Sequence, residues 1–261
     1  MSDTEAKTSG ERIAKVLARA GVCSRREAEK LIEAGRVAVD GRTIASPALN
    51  VGPDARIAVD GEPVQAAEPT RLWRHHKKKG RITSTRDPEG RPTVYADLPP
   101  DLPRLLCVGR LDYNSEGLLL LTNDGALARF LELPSTGWTR RYRVRVHGLV
   151  DEKKLAALDK GVTVDGVKYE PVKARLDKVQ GANAWLTFAL KEGKNREVRK
   201  LCAHLGLDVT RLIRIGYGPF QLGDMAPGAT AAVPPKLLKD QLGGHAAKFR
   251  LPTGADRRRP A

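Results

Sequence analysis

Apolar residues recur at helical spacing near the start of the chain and at strand spacing further along, and this change of period divides it. Over residues 12–20, Ile13, Val16, Leu17 and Ala20 share one helical face, and Gly21 closes the helix. Ser24-Arg25-Arg26-Glu27 is a capping box that opens a second helix through Ala34, which Gly35 stops. Arg36-Val37-Ala38-Val39 then reads as a strand running into an Asp40-Gly41 turn. The same Val-Asp-Gly recurs at Asp60-Gly61 and Asp165-Gly166. The spacings do not repeat, so these are recurring hairpin turns and not a solenoid period.

Residues 11–67 therefore read as a small separate module, after a polar stretch (1–10) expected to be disordered and before a short linker at 66–70. A larger domain follows over 72–242. Its pattern predicts strands near 104–108 and 118–122, a helix over 126–133 capped by Asp124, and an alternating strand over 142–146. Helices over 151–159 and 196–205 and a strand over 209–215 complete it. Strands and helices intermix without a βαβ rhythm, so the expected class is α+β with a mixed, mostly antiparallel sheet. On the alternating strand, Arg143 and Arg145 face away from the core side of Val144 and Val146. Residues 245–261 read as a basic flexible arm.

Composition narrows the partners. Lys plus Arg is 46 and Asp plus Glu is 31, a formal net charge of +15. That excess points to a polyanion, nucleic acid ahead of an anionic membrane. Crossing a bilayer takes roughly 20 apolar residues, and no run comes near that, so no membrane partner is expected. Met1-Ser2-Asp3-Thr4-Glu5-Ala6-Lys7 has no apolar signal core, and a cytoplasmic location is expected. Cys23, Cys107 and Cys202 lie far apart, which suits buried thiols in a reducing compartment. Cys202-Ala203-His204 offers two ligands where zinc takes three or four, so no metal is expected. Neither a phosphate-cradling glycine loop nor a dinucleotide fingerprint occurs.

The stretch Gly109-Arg110-Leu111-Asp112-Tyr113-Asn114-Ser115-Glu116-Gly117-Leu118-Leu119-Leu120-Leu121-Thr122-Asn123-Asp124-Gly125 carries the chemistry. It holds one acid, Asp112, between two apolar strands, where a rigid frame can aim it. By residue type alone Asp112 also reads as a turn former. With Thr83-Ser84-Thr85-Arg86-Asp87-Pro88, Arg140-Arg141-Tyr142, Lys191-Glu192-Gly193-Lys194-Asn195-Arg196-Glu197-Val198-Arg199-Lys200 and Arg211-Leu212-Ile213-Arg214-Ile215, the stretch resembles the pseudouridine synthases. The branch it resembles acts on ribosomal RNA and carries an S4 RNA-binding domain, which the first module resembles in turn.

The resemblance implies isomerisation of a uridine in ribosomal RNA, with the large subunit as the expected target. It implies a monomer working without metal or organic cofactor. Asp112 is implied as the essential carboxylate, acting either by attack on the sugar or by removal of the C2′ proton. Tyr142 is implied as the ring packed on the target base, and Arg199 as the basic partner of the acid. RNA contacts are expected from Arg12, Lys15, Arg19, Arg25, Arg26, Lys30 and Arg36 in the first module. In the second they are expected from Arg110, Arg140, Lys194 and Arg196, with Lys77, Lys78 and Lys79 as further phosphate contacts. The family commonly has proline where this chain has Lys78, which is expected to leave that loop freer. The alternative reading is a non-catalytic S4-type RNA-binding or ribosome-assembly factor.

Overall fold

The computed structural model describes residues 10–253, and the chain divides into two units between Thr70 and Arg71. Residues 1–9, and the last eight residues of the expected basic arm, lie outside the described residues.

In the first unit, β1 (Glu11–Arg12) leads into α1 (Ile13–Arg19) and α2 (Arg25–Glu33). Strands β2 (Val37–Val39), β3 (Arg42–Ile44), β4 (Asn50–Val51), β5 (Ile57–Val59) and β6 (Glu62–Pro63) follow. Ile13, Ala14 and Leu17 meet Ala28, Ile32, Val37 and Val51 in one core. The capping box forms: the Ser24 hydroxyl accepts the Glu27 N–H at 3.2 Å, and the Glu27 carboxylate accepts the Ser24 N–H at 2.9 Å. Arg12, expected inside the first helix, is extended and pairs with Asn50. The Ile13 N–H donates to Leu49 O at 3.0 Å, so the helix begins one residue later. All three Asp-Gly pairs have both φ angles positive, the backbone of type I′ hairpin turns.

The second unit holds β7 (Leu72–Lys77), β8 (Leu106–Val108), β9 (Glu116–Thr122), α3 (Gly125–Glu132), β10 (Arg140–His147) and α4 (Glu152–Ala157). The chain continues through β11 (Val162–Val164), β12 (Val167–Tyr169), β13 (Lys173–Gln180), β14 (Asn183–Leu190), α5 (Glu197–His204) and β15 (Asp208–Tyr217). It ends in β16 (Phe220–Gln221), β17 (Thr230–Ala232) and α6 (Pro235–Leu242). Nine strands form one sheet in the order β13-β14-β10-β15-β9-β7-β17, with β16 on β15 and β8 on β9. Within the described sheet only β9 against β15 is parallel, the mixed, mostly antiparallel arrangement expected.

Two strands explain where the site sits. Strand β9 is covered on both faces. Leu118 and Leu120 join Leu127, Leu131, Leu238 and Leu242 on one side, while Leu119 and Leu121 join Trp73, Val94, Leu105 and Leu111 on the other. A doubly covered strand needs no polar face, hence four consecutive leucines. Strand β10 is covered on one face, where Val144 and Val146 meet Leu186, Phe188, Leu201, Cys202 and Leu212. Tyr142 packs against this cluster and against that of Leu111, so it marks the seam between them.

Along its length β9 changes partner, pairing with β8 near Thr122 and with β15 at Glu116 and Gly117. The loop of Asp112 leaves the sheet close to that changeover. Gly117 has φ +103°, and a Cβ there would lie 2.4 Å from Arg214 O, so only glycine lets the strands approach.

The segment from His245, expected as a free arm, starts docked. The His245 ring lies 5.0 Å from Phe130, and Phe249 is buried against the same ring at 5.7 Å. Phe249 and Leu251 supply apolar surface that a charge count overlooks, so the core extends past residue 242.

Candidate active site

Each backbone carbonyl from Leu111 to Ser115 accepts a hydrogen bond from elsewhere in the fold. Thr83 Oγ1 donates to Leu111 O at 3.2 Å. Asp112 O accepts from Lys77 Nζ at 3.0 Å and from the Ser115 N–H at 3.0 Å. The Gly80 N–H donates to Tyr113 O at 2.8 Å, Arg199 Nη2 to Asn114 O at 3.0 Å, and Lys77 Nζ to Ser115 O at 2.7 Å. Leu111 is buried beneath the loop. A turn fastened at every residue holds its acid in one place, the pre-organisation a reacting group needs.

The Asp112 carboxylate is one-third exposed. Its Oδ2 lies 3.5 Å from Arg196 Nη1 and 4.0 Å from Arg199 Nε. These are ion-pair separations longer than a good hydrogen bond, so the cations neutralise the acid without occupying its lone pairs. Arg199 was the expected partner; Arg196, expected as an RNA contact, is the nearer one. Arg196 adopts a left-handed backbone, φ 53° and ψ 31°, at the N-cap of α5, which turns it toward Asp112. Burial and the Arg196 charge press the Arg199 pKa down, while Asp112 holds it up.

Asp112, Tyr142, Arg110 and Arg196 line one open cavity of about 790 Å³, together with Leu212, Leu190 and Val198. It has room for a flipped nucleoside, and its walls mix apolar side chains with as many polar and charged ones. Arg110 is exposed.

Three groups of this site escape a reading of the sequence as solvated charge. Lys77 is fully buried, and its ammonium donates to three carbonyls, the third being Lys78 O at 3.1 Å. It is therefore not a phosphate contact. Burial lowers its pKa to about 8, against the pull of Asp112 and Glu116. The signal lay in its register: it continues β7, whose neighbours His75 and His76 are buried too. Glu197 is buried and lines the cavity; its Oε2 accepts the Lys194 N–H at 2.9 Å, while Oε1 has no partner. Burial and the nearby Glu192 raise its pKa to about 7. Arg214, also buried and lining the cavity, donates Nε to Leu118 O at 2.6 Å and leaves Nη2 without a partner.

Two expected RNA contacts are already engaged with other groups of the protein, Arg140 in a buried position and Lys194 in an exposed one. Arg140 is buried and donates to Lys191 O, Trp138 O and Tyr217 Oη, with its guanidinium over the Tyr217 ring at 4.9 Å. It braces the cavity wall as a largely buried group. Lys194 Nζ donates to Lys168 O at 2.8 Å and pairs with Glu192. Lys78, in the place of the family's proline, reaches Asp97 at 3.4 Å, so its loop is tethered and not free. In the first unit Arg12, Lys15, Arg25, Arg26, Lys30 and Arg36 are exposed, and Arg19 is half-buried. Lys15 pairs with Glu11, and Arg36 meets Asp60 in a two-point pair at 2.8 and 2.5 Å.

The fold and its open cavity are those of an RNA-modifying isomerase, as the comparisons with known proteins show. The chain belongs to the RNA pseudouridylate synthase family, whose model matches residues 71–204, and an S4 domain matches residues 11–57. An RNA pseudouridine synthase of Rickettsia felis is 46% identical over 229 residues, covering 88% of this chain and 99% of the relative. Ribosomal large subunit pseudouridine synthase B of Salmonella typhi is 44% identical over 218 residues, covering 81% of this chain and 75% of the relative. The crystal structure of a pseudouridylate synthase superposes with a TM-score of 0.62 at 24% identity, covering 89% of this chain and all of the other, which shows the shared fold. Among the described residues no helix is long and apolar enough to cross a membrane.

Proposed function

We propose that this enzyme converts a uridine of large-subunit ribosomal RNA to pseudouridine, without a cofactor, through Asp112. The observation that carries the reading is the loop of Asp112: five consecutive carbonyls are fastened so that one carboxylate faces a nucleoside-sized cavity. A protein that only bound RNA would have no use for such a fixture. The large-subunit target rests on the likeness to the Salmonella typhi enzyme.

The reaction breaks the N1–C1′ bond, turns the base, and joins C5 to C1′; C5 loses a proton and N1 gains one. A paired base cannot be reached, so the uridine is first everted into the cavity. Positive charge that develops at the sugar meets the Asp112 carboxylate, which Arg196 and Arg199 flank at 3.5 and 4.0 Å. The Tyr142 ring offers a stacking face that tolerates rotation of the base, a contact of about 1–3 kcal/mol. Lys77 and Arg199 fix the loop from behind. The exposed basic residues of the first unit supply sequence-independent phosphate contacts. The enzyme works as a monomer in the cytoplasm.

Pseudouridine mapping of ribosomal RNA from cells with and without the gene tests this. One large-subunit site should vanish, and return with wild type but not with Asp112→Ala. Loss of a small-subunit site instead would reassign the target, and an unchanged map would overturn the reading.

A further inference from the structure

The sheet has two faces in its β13-β14-β10-β15 half, and only one belongs to the active site. Helices α4 and α5 cover the side of Val144, Leu186 and Leu212, and Tyr142 and Leu212 of that side line the cavity. On the reverse side, Arg143 stands opposite Thr187 and Ile213, and Arg145 opposite Trp185 and Arg211. Arg175 is next in the row of Thr187. Cross-strand partners share a face, so these residues form one surface.

Its charges are unequally matched. Arg175 pairs with Asp177 at 3.2 Å, and Arg211 meets Glu116 at 2.7 and 3.0 Å. Arg143 has no such acid among the described residues; its guanidinium lies 4.6 Å over the Trp185 ring. Arg145 is half-buried, with its Nε donor lacking any partner. Two cations thus stand about 6.5 Å apart along one strand. The first is exposed over an indole, and the second is half-buried with its Nε turned into the protein. An exposed guanidinium on an aromatic ring, with a second cation beside it, suits a phosphate backbone.

We infer that this reverse face is a second RNA interface, which takes the phosphate backbone of a segment remote from the modified uridine. The inference rests on the synthase reading above and narrows its substrate. RNA seated in the cavity lies on the other side of the sheet, so a short single strand cannot reach Arg143 and Arg145. The preferred substrate is then a folded RNA large enough to pass round the sheet. An acidic protein is the competing occupant. RNA is favoured because the Arg143 guanidinium is exposed over an indole with no acid paired to it among the described residues, in a family whose members act on RNA.

The test is binding, followed by fluorescence anisotropy across a KCl titration, of the full chain and its Arg143→Gln/Arg145→Gln variant. The probes are a large-subunit ribosomal RNA transcript and hexauridylate. Arg143 is exposed and Arg145 half-buried, and an unchanged melting temperature verifies the fold. The variant should bind the transcript about tenfold more weakly at moderate salt, with a log–log salt slope shallower by about 1.4 to 1.8. Hexauridylate binding should not change. An unchanged transcript slope overturns the inference, as does equal weakening toward both RNAs. Weakened binding to polyglutamate, with RNA binding intact, assigns the face to an acidic protein and overturns it too. No arm depends on turnover. A variant that loses the slope in a protein that never forms pseudouridine would leave this inference standing and the synthase reading refuted.

Discussion

The ammonium of Lys77 holds the backbone carbonyl of Asp112 at 3.0 Å and not its carboxylate. The distinction matters for catalysis. A lysine bonded to the carboxylate would consume its lone pairs; bonded to the carbonyls of Asp112 and Ser115, it fixes the loop and leaves the acid free. Lys77→Met fills the same space and removes the donors. Single-turnover rates should fall about 10²-fold, the effect of a displacement near 1 Å, with RNA affinity unchanged. A variant at the wild-type rate would show that the loop needs no such anchor.

Arg196 and Arg199 divide one task unequally. Among the described residues the Arg196 side chain meets only the carboxylate, from a half-exposed position, whereas Arg199 reaches both the carboxylate and Asn114 O from a more sheltered one. Arg199→Ala should cost more than Arg196→Ala in kcat, by at least about tenfold, because it also releases the Asn114 carbonyl and with it the loop. Arg199→Lys should not restore the rate, since one ammonium cannot serve both sites. Steady-state kinetics of the three variants decide this.

Glu197 gives a pH signature. Its folded-state pKa, about 7, lies above the ordinary glutamate value of 4.5. The folded protein therefore binds more protons than the unfolded chain between those values. Its contribution to stability is fully present below pH 4.5 and declines as pH rises toward 7. Once ionised, Glu197 repels Glu192, and the loop that carries Arg196 loosens. Wild-type kcat/KM should drop as pH passes 7. Glu197→Gln should hold a flatter profile with near wild-type activity at pH 6.5, whereas Glu197→Ala should lose activity at every pH. A glutamine variant with the wild-type profile would remove Glu197 from the account. Melting temperatures from pH 5 to 8 give the stability side.

Much of this was legible before any coordinates. Ser24 and Asp124 announce their helices because a cap is a local device. The four leucines of β9 and the alternation of β10 announce one strand with two covered faces and one with a single covered face. Motif order singles out Asp112, Tyr142 and Arg199, whereas it offers Arg196 only as an RNA contact and not as the nearer neighbour of the acid. What stayed hidden depends on distant partners. Lys77 looks solvated in a run of three lysines, and nothing near it reveals that residues 112 and 115 accept its protons. Arg140 looks like part of a basic cluster until Lys191 and Tyr217 close around it. Arg145 has the right alternation, but that the reverse face stands away from the cavity is visible only in the sheet.

Gly117 tests the frame. An added Cβ would press on Arg214 O at 2.4 Å in a backbone region that other residues avoid. Gly117→Ala should lower the melting temperature by several degrees, corresponding to roughly 2–3 kcal/mol, and disable the site through the loop. A fully stable, active variant would contradict the close crossing of β9 and β15.

The central claim concerns one carboxylate and one bond. Forming C5–C1′ expels the hydrogen on C5, so large-subunit ribosomal RNA labelled with tritium at uridine C5 reports the reaction directly. Purified enzyme should release one tritium per RNA, and Asp112→Asn, folded and binding RNA normally, should release none. Release by Asp112→Asn at the wild-type rate would contradict the role assigned to Asp112.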